Sequence, residues 1–199
     1  YQTVAPKVPS DYDNTDHNPT ALHQGKTPWK WHTYLSKGNV QGHFAWQFPQ
    51  TAAVLQELRK DGLLFEGTPF GFSFFSTLAG GSTISSHTAP MNLRLRIHLP
   101  LIVPTLSSSS TTTSNTTQQQ SDNNTTLDCG IRVGSIIRPW TQDKALVLDD
   151  SFDHEVWNHT EQTRVLLLVD IWHPDISPTE KQEIVSMFQA ARQQGLWKR

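Results

Sequence analysis

Residues 92–103 read NLRLRIHLPLIV, and this stretch decides the fold because its polar and aliphatic residues alternate. A period of two is that of a β-strand, in which successive side chains point to opposite faces of a sheet. One face carries the aliphatic residues at positions 93, 95, 97, 99 and 101, and the other carries Arg94, Arg96 and His98. Antiparallel sheets often have one wet face, so this strand taken alone favours a polar face in contact with solvent.

Further strands are predicted on both sides of this stretch, in segments rich in Val, Ile, Leu and Phe. They span residues 72–78, 131–137, 145–148 and 164–171. Helical spacing of apolar residues predicts one helix over 51–60. A second begins at Pro178, with Ser177 and Glu180 forming a capping box, and ends at Gly195. Several strands between two helices favour a mainly β fold with flanking helices, as an antiparallel barrel or jelly roll.

Composition divides the 199 residues into three parts of what we expect to be a single domain. Residues 1–28 show little apolar periodicity and predict an extended or loosely packed N-terminal arm. Residues 105–127 form a low-complexity polar insert, in which positions 107–126 are all Ser, Thr, Asn or Gln except for Asp122. Because such a segment cannot bury enough apolar surface to offset its ordering entropy, we expect a disordered loop within the domain.

Charge and cysteine content exclude several classes of protein. The 16 Lys and Arg residues against 18 Asp and Glu give a net charge of −2, whereas nucleic-acid binders usually carry a basic excess. The single cysteine, Cys129, excludes an internal disulfide framework and a cysteine-rich zinc site. No apolar run approaches the roughly 18 residues of a membrane helix. We therefore expect no nucleic-acid partner and no membrane segment in this chain.

Two histidines beside predicted strands are candidate metal ligands. His87 lies in SSHTAP (85–90), and His154 lies in DDSFDHEVW (149–157), with Arg164 ten residues further on. Two histidines can hold iron(II), and a guanidinium can bind a carboxylate through two parallel hydrogen bonds. Together they match the plan of an oxygenase with 2-oxoglutarate as co-substrate. Either histidine alone is more often a satisfied polar residue, and that alternative stays open.

Three motifs resemble the aspartyl/asparaginyl β-hydroxylase family. They are HTAPMNLRLRIHL at 87–99, DDSFDHEVW at 149–157 and VDIWHP at 169–174. The resemblance covers roughly residues 31–178 and is interrupted by the polar insert. It implies a double-stranded β-helix, the cupin-like form of the jelly roll. It also implies chemistry with iron(II), 2-oxoglutarate and molecular oxygen.

The resemblance also assigns roles to single residues. His87 and His154 match the iron ligands, and Arg94 matches an arginine that faces the substrate carboxylate. From its own position, four residues before His154, Asp150 is expected to hydrogen-bond a water on the iron and so to assist catalysis. The residues that match the 2-oxoglutarate binders are Ser76, Arg96, His98 and Arg164.

The position two residues after His87 is Ala89, where most such oxygenases place a carboxylate ligand. The resembled family also has a small residue there, and iron halogenases use one to admit chloride. We expect hydroxylation of an aspartyl-like, asparaginyl-like or other acidic substrate. Oxidative halogenation, and a non-oxidative isomerase or ligand-binding protein of the same fold, remain alternatives.

The substrate is expected to be a small molecule, a carrier-bound group or a peptide, in each case with an acidic group. We favour a compact substrate in specialised metabolism, because the motifs resemble little more than a catalytic domain. We expect a cytoplasmic location, with the lumen of the endoplasmic reticulum as the alternative if an N-terminal anchor was removed.

Overall fold

Two antiparallel sheets face each other in the computed structural model, which describes residues 1–12, 22–104 and 127–196. In spatial order, the five-stranded sheet consists of β1 (His23–Gln24), β5 (Ser82–His87), β10 (His154–Asn158), β7 (Cys129–Val133) and β8 (Ile136–Pro139). The six-stranded sheet consists of β3 (Asn39–Val40), β2 (Lys30–Ser36), β4 (Ser73–Leu78), β11 (Arg164–Trp172), β6 (Arg94–Ile102) and β9 (Leu146–Leu148). The fold is mainly β and of the jelly-roll type, which confirms the predicted class.

Helices lie on the outer face of the six-stranded sheet. A 3₁₀ turn (Ala5–Lys7) precedes the strands, and α1 (Gly42–Gln47) and α2 (Pro49–Lys60) bury Phe44 and Leu55 against the sheet. The last helix, α3 (Pro178–Gln193), begins with the predicted capping box between Ser177 and Glu180. Among the described residues, every helix is too short or too polar to cross a bilayer.

Apolar clusters cover both faces of the six-stranded sheet, as the alternation along β11 shows. Leu166 and Leu168 belong to the cluster between the two sheets, whereas Leu167 and Val169 belong to the cluster under the helices. Being covered on both faces, β11 is a nearly continuous apolar run. Asp170 is the one acidic residue within it.

The polar face of β6 points into the space between the sheets. Arg94 and His98 are 4% and 5% exposed, while Ile97 and Leu99 pack toward the helices. The expectation of a solvent-facing polar side, drawn from this strand alone, is therefore wrong. The reason is that α1 and α2 cover the aliphatic side, and interior carboxylates satisfy the arginines on the other side.

The structure also differs from the expectations for residues 131–137 and for the N-terminal arm. Residues 131–137 were expected to form one strand, which is wrong: β7 and β8 form a hairpin that turns at Gly134, where φ is +55°. In the predicted N-terminal arm, the Tyr1 ring lies 4.6 Å from the Phe75 ring, and Asp11 accepts the Thr33 amide at 2.6 Å. Residues 1–12 therefore pack against the six-stranded sheet, because the Tyr1 ring joins the apolar cluster under the helices and Asp11 bonds to the backbone of β2. The polar insert at 107–126 lies outside the described residues.

Candidate active site

The register between β5 and β10 places His87 directly opposite His154. Their ring centroids are 4.1 Å apart. His87 Nδ1 lies 2.8 Å from the Ser85 carbonyl oxygen, and His154 Nδ1 lies 2.9 Å from that of Phe152. Each Nδ1 therefore carries the proton and donates it to a carbonyl, which leaves both Nε2 lone pairs for a metal ion.

Burial keeps the histidine pair neutral. It is the main cause that lowers the pKa of His87, and burial together with the neighbouring His87 lowers the pKa of His154 to about 4. Metal ions bind the neutral imidazole, so at neutral pH both side chains are in the form that a metal requires. Two charged imidazoles at this separation would repel each other.

Four charged side chains form a cluster between the sheets, which we call the acid–arginine cluster: the buried Arg94, Asp150 and Asp170, and the partly buried Arg96. Arg94 donates to the Phe70 carbonyl, to Asp170 and, at 2.7 Å, to Asp150. Arg96 donates to Asp170 from Nε at 2.8 Å and contacts Asp150 at 3.0 Å. Two positive and two negative charges cancel, so the cluster is neutral as a whole, and each charge has a partner.

Asp150 connects this cluster to the histidine pair. Its charge raises the proton affinity of both His87 and His154, which places it near both rings. One carboxylate oxygen accepts from the two arginines, while the other, Oδ1, is buried and has no hydrogen-bond partner within the described chain. A buried oxygen without a donor fits a metal-bound water. The Asp150 carbonyl also accepts the Ala89 amide at 2.7 Å.

Arg164 is a buried cation without a carboxylate partner among the residues that the structure describes. It is 1% exposed, donates to Ser76 Oγ at 3.1 Å, and lies 4.9 Å from the centre of the Trp140 ring. Burial lowers the pKa of this guanidinium to about 10. The Trp29 indole also donates to Ser76 Oγ, at 2.9 Å. An unpaired buried charge is costly, so this arrangement suits an anionic ligand.

His98 lies near both Arg96, which belongs to the acid–arginine cluster, and Arg164. Burial, together with the positive charges of Arg96 and Arg164, lowers the pKa of His98 well below its ordinary value. Its Nδ1 is buried and has no partner in the described ranges. The eight residues singled out from the sequence thus come together in one interior region. Sequence reasoning missed Asp170, for which an acid inside an apolar strand was the available signal, and it did not single out Trp29.

These residues fit a metal ion held by two imidazoles. Across residues 1–12, 22–104 and 127–196, no group of three or more His, Cys, Asp or Glu side chains could hold a metal. The available donors are the two Nε2 atoms, with Asp150 Oδ1 nearby to bind a water on the metal. An imidazole pair of this kind suits iron, zinc or copper better than magnesium or calcium.

Comparison with known proteins gives a family match over most of the chain. The model of the family described as aspartyl/asparaginyl beta-hydroxylase matches residues 5–174. The mouse protein named aspartyl/asparaginyl beta-hydroxylase is 28% identical over 159 residues, which is 80% of this chain and 18% of the mouse protein. The chain therefore spans about a fifth of that relative's length.

Other relatives carry different names. The Rhizobium tropici protein named ornithine lipid ester-linked acyl 2-hydroxylase is 38% identical over 106 residues, covering 53% of this chain and 31% of that protein. A solved structure from Thermotoga maritima, described as a predicted oxalate decarboxylase, matches with a TM-score of 0.45 and 11% identity. That match covers 84% of this chain and 96% of the other.

Proposed function

The chain belongs to the aspartyl/asparaginyl β-hydroxylase family, and from this premise we propose that it is an oxygenase that hydroxylates its substrate using iron(II) and 2-oxoglutarate. The observation that carries the proposal is the pairing of two neutral histidines, whose Nδ1 atoms donate to carbonyls, with a buried Arg164 that pairs with no carboxylate among the described residues. The histidines suit a metal, and the guanidinium suits a dicarboxylate co-substrate.

His87 and His154 would hold the iron. Each imidazole is oriented by its hydrogen bond to a backbone carbonyl two residues earlier, so the Nε2 lone pairs are positioned before a metal arrives. Asp150 Oδ1 would accept a hydrogen bond from a water on the metal. With 2-oxoglutarate and molecular oxygen, bound iron(II) would supply the oxidising power for hydroxylation.

Arg164 and Ser76 would bind one carboxylate of 2-oxoglutarate. Ser76 Oγ already accepts from Trp29 and Arg164, so its own hydroxyl proton is left to donate. The planar guanidinium, held beside Trp140, offers further N–H groups, among them a buried Nε without a partner in the described chain. His98 and Arg96 would contribute hydrogen bonds and positive charge on the side toward the iron.

An acidic group on the substrate is the proposed partner of Arg94. Arg94 already donates to three acceptors, and its Nε is buried without one among the described residues. A substrate carboxylate would therefore use Nε–H and the remaining Nη2–H, beside the two aspartates. The proposed substrate is a small, carrier-bound or peptide molecule of this kind.

Succinate formation tests the proposal. Purified protein supplied with iron(II), 2-oxoglutarate and oxygen should release succinate, even without substrate, through slow uncoupled turnover. His87→Ala and His154→Ala should abolish it, whereas His159→Ala, at a position next to β10, should leave it unchanged. Iron binding without any succinate would instead support the non-oxidative isomerase or ligand-binding alternative.

A further inference from the structure

A β-bulge in β5 turns His87 toward the interior of the protein. Between the pair Ile84–Val156 and the pair His87–His154, β5 has two residues where β10 has one. An extra residue on one strand of an antiparallel pair is a β-bulge, which re-aims the side chains that follow it. Ile84 belongs to the cluster between the sheets, so strict alternation would send the side chain three positions later to the outer face. The bulge instead sends His87 inward, where its ring meets that of His154.

The bulge consists of Ser85 and Ser86, and the alternative to it is regular pairing of the two strands. In regular pairing, Ser86 would lie opposite His154 and His87 would point outward, because a slip of one residue moves a side chain to the other face. The bulge thus decides whether a histidine or a serine lies beside His154. The Ser85 carbonyl also accepts the hydrogen bond from His87 Nδ1 at 2.8 Å, so the bulge orients the ring as well.

Four polar side chains join the bulge to the neighbouring strands, and we call them the bulge clamp: Ser86, Arg132, Asp153 and Glu155. Ser86 Oγ donates to Asp153 Oδ1 and accepts from Arg132 Nη2 at 3.1 Å. The same Arg132 nitrogen donates to Asp153 Oδ2 at 2.9 Å, and Arg132 Nε donates to Glu155 Oε1 at 2.7 Å. Arg132 Nη1 donates to a carbonyl in the turn between β7 and β8 at 2.7 Å. One guanidinium therefore ties the bulge to the residues directly before and after His154.

The bulge clamp lies on the outer face of the five-stranded sheet. Ile131 and Val133 pack against the cluster between the sheets, so the side chain of Arg132 between them points outward. The side chains of Arg132 and Asp153 are 23% and 52% exposed. A single exposed ion pair contributes little to stability, but a guanidinium that bonds four acceptors at once fixes their relative positions. Such a network suits the positioning of a strand better than it suits the binding of a metal.

We propose that Arg132 is a positioning residue, which through the bulge clamp keeps His87 on the inner face opposite His154. The role of His87 as a metal ligand rests on the function proposed above, whereas the choice of register does not. Loss of the clamp should allow regular pairing, in which His87 leaves the site. Substitution of residues that orient metal ligands typically weakens metal binding by about 10–100-fold.

Cobalt(II) binding tests the effect of the clamp on the site. The probe is cobalt(II) alone, titrated into the iron-free full chain and followed by absorbance and calorimetry. Arg132→Met should raise the dissociation constant by about 10–100-fold. Arg59→Met is the matched control, because it breaks another surface arginine–glutamate bond of 2.7 Å, on α2, and it should leave the dissociation constant unchanged. An unchanged dissociation constant in Arg132→Met would overturn the proposal.

Ser86 offers a pair of variants that differ in one hydroxyl group. Ser86→Ala removes the hydroxyl that joins the bulge to Asp153 and Arg132, so it should weaken cobalt(II) binding. Ser86→Thr keeps the hydroxyl and should bind cobalt(II) as the wild type does. If Ser86→Ala binds cobalt(II) as tightly as the wild type, or if Ser86→Thr binds it as weakly as Ser86→Ala, the clamp does not set the register.

Histidine modification reports on the register without any metal. Diethylpyrocarbonate acylates accessible imidazoles, and mass spectrometry follows each histidine of the iron-free full chain. An apparent affinity 10–100-fold weaker corresponds to an inward His87 in roughly 10% of molecules or fewer. In Arg132→Met, the rate at His87 should therefore rise toward that of the exposed His159, while the buried His154 stays slow. Equal acceleration at His87 and His154 would indicate general loosening of the sheet and would overturn the proposal, as would no acceleration at His87.

The clamp and the proposed function fail in distinguishable ways. A wild type that binds neither cobalt(II) nor iron(II), together with faster modification of His87 in Arg132→Met, would refute the metal-dependent function alone. Metal binding that is lost in His154→Ala but unchanged in Arg132→Met, with His87 equally protected in Arg132→Met and the wild type, would refute the clamp alone.

Discussion

Replacing Arg164 with methionine should make the protein more stable and unable to bind its co-substrate. Arg164 is 1% exposed, and no carboxylate in the described part of the chain pairs with it. Methionine is similar in length and needs no solvation. If the role of this guanidinium is to bind 2-oxoglutarate, then in the ligand-free protein its unpaired charge lowers the free energy of unfolding. Substitution by methionine removes that destabilisation.

The magnitude follows from the surroundings of the guanidinium. Burial lowers the pKa of Arg164 from its ordinary value to about 10, a shift that corresponds to roughly 3 kcal/mol. Because the folded-state pKa is the lower one, this free energy disfavours folding at every pH below about 10. The hydrogen bond to Ser76 and the contact with Trp140 offset about 2 kcal/mol of it. Arg164→Met should therefore stabilise the ligand-free protein by about 1 kcal/mol.

Urea unfolding and calorimetric titration measure the two effects separately. The variant should show a higher urea midpoint with an unchanged slope, together with at least about 100-fold weaker 2-oxoglutarate binding, because charge-assisted hydrogen bonds are lost. The control is Arg138→Met, at an exposed arginine that donates to the Ile137 carbonyl, and it should change neither quantity. Destabilisation of Arg164→Met by more than about 2 kcal/mol, or retained co-substrate binding, would refute the reasoning.

Three further predictions concern stability and reactivity. In the iron-free protein, the pKa of His154 is about 4. As the pH falls, His154 is therefore protonated at a higher pH in the unfolded chain than in the folded protein. The free energy of unfolding should thus drop between about pH 6.5 and 4, by up to about 3 kcal/mol, and His154→Gln should flatten this dependence in urea titrations. Asp170→Asn should cost about 3–5 kcal/mol in the same assay, since the buried Arg94 and the partly buried Arg96 lose a counter-charge, while exposed Asp175→Asn should cost nothing measurable. Burial raises the pKa of Cys129 to about 11, so iodoacetamide at pH 8 should react with it at least about tenfold more slowly than with the unfolded chain, as followed by mass spectrometry.

The alternation along β6 correctly predicted a strand, but it did not show which face of the strand points to solvent and which to the interior. The period of two depends on local backbone geometry, so it can be read from the sequence. Whether the side with Arg94 and His98 faces water depends on what covers the other side, and here α1 and α2 cover it. The prediction of one strand over residues 131–137 failed for a related reason. Apolar residues continue on both sides of Gly134, so composition alone does not show the turn that this glycine makes.

The candidate site was found through motifs, and its members do come together. The structure adds the partners that no motif spacing indicates: Asp170 between two arginines, and Trp29 and Trp140 around Arg164 and Ser76. These contacts join strands far apart in the chain, so they follow from sheet order. A single acid in the buried strand β11 was a usable signal, because an unpaired buried carboxylate is rarely tolerated.

Anaerobic titration of the iron(II)-loaded protein with 2-oxoglutarate tests the central claim most directly. Chelation of the iron by the co-substrate should produce a weak visible charge-transfer band, and His87→Ala and Arg164→Met should both remove it. The band should appear in Arg138→Met as in the wild type. Iron binding without any band in the wild type would contradict the account, because 2-oxoglutarate would then not be bound at the histidine pair.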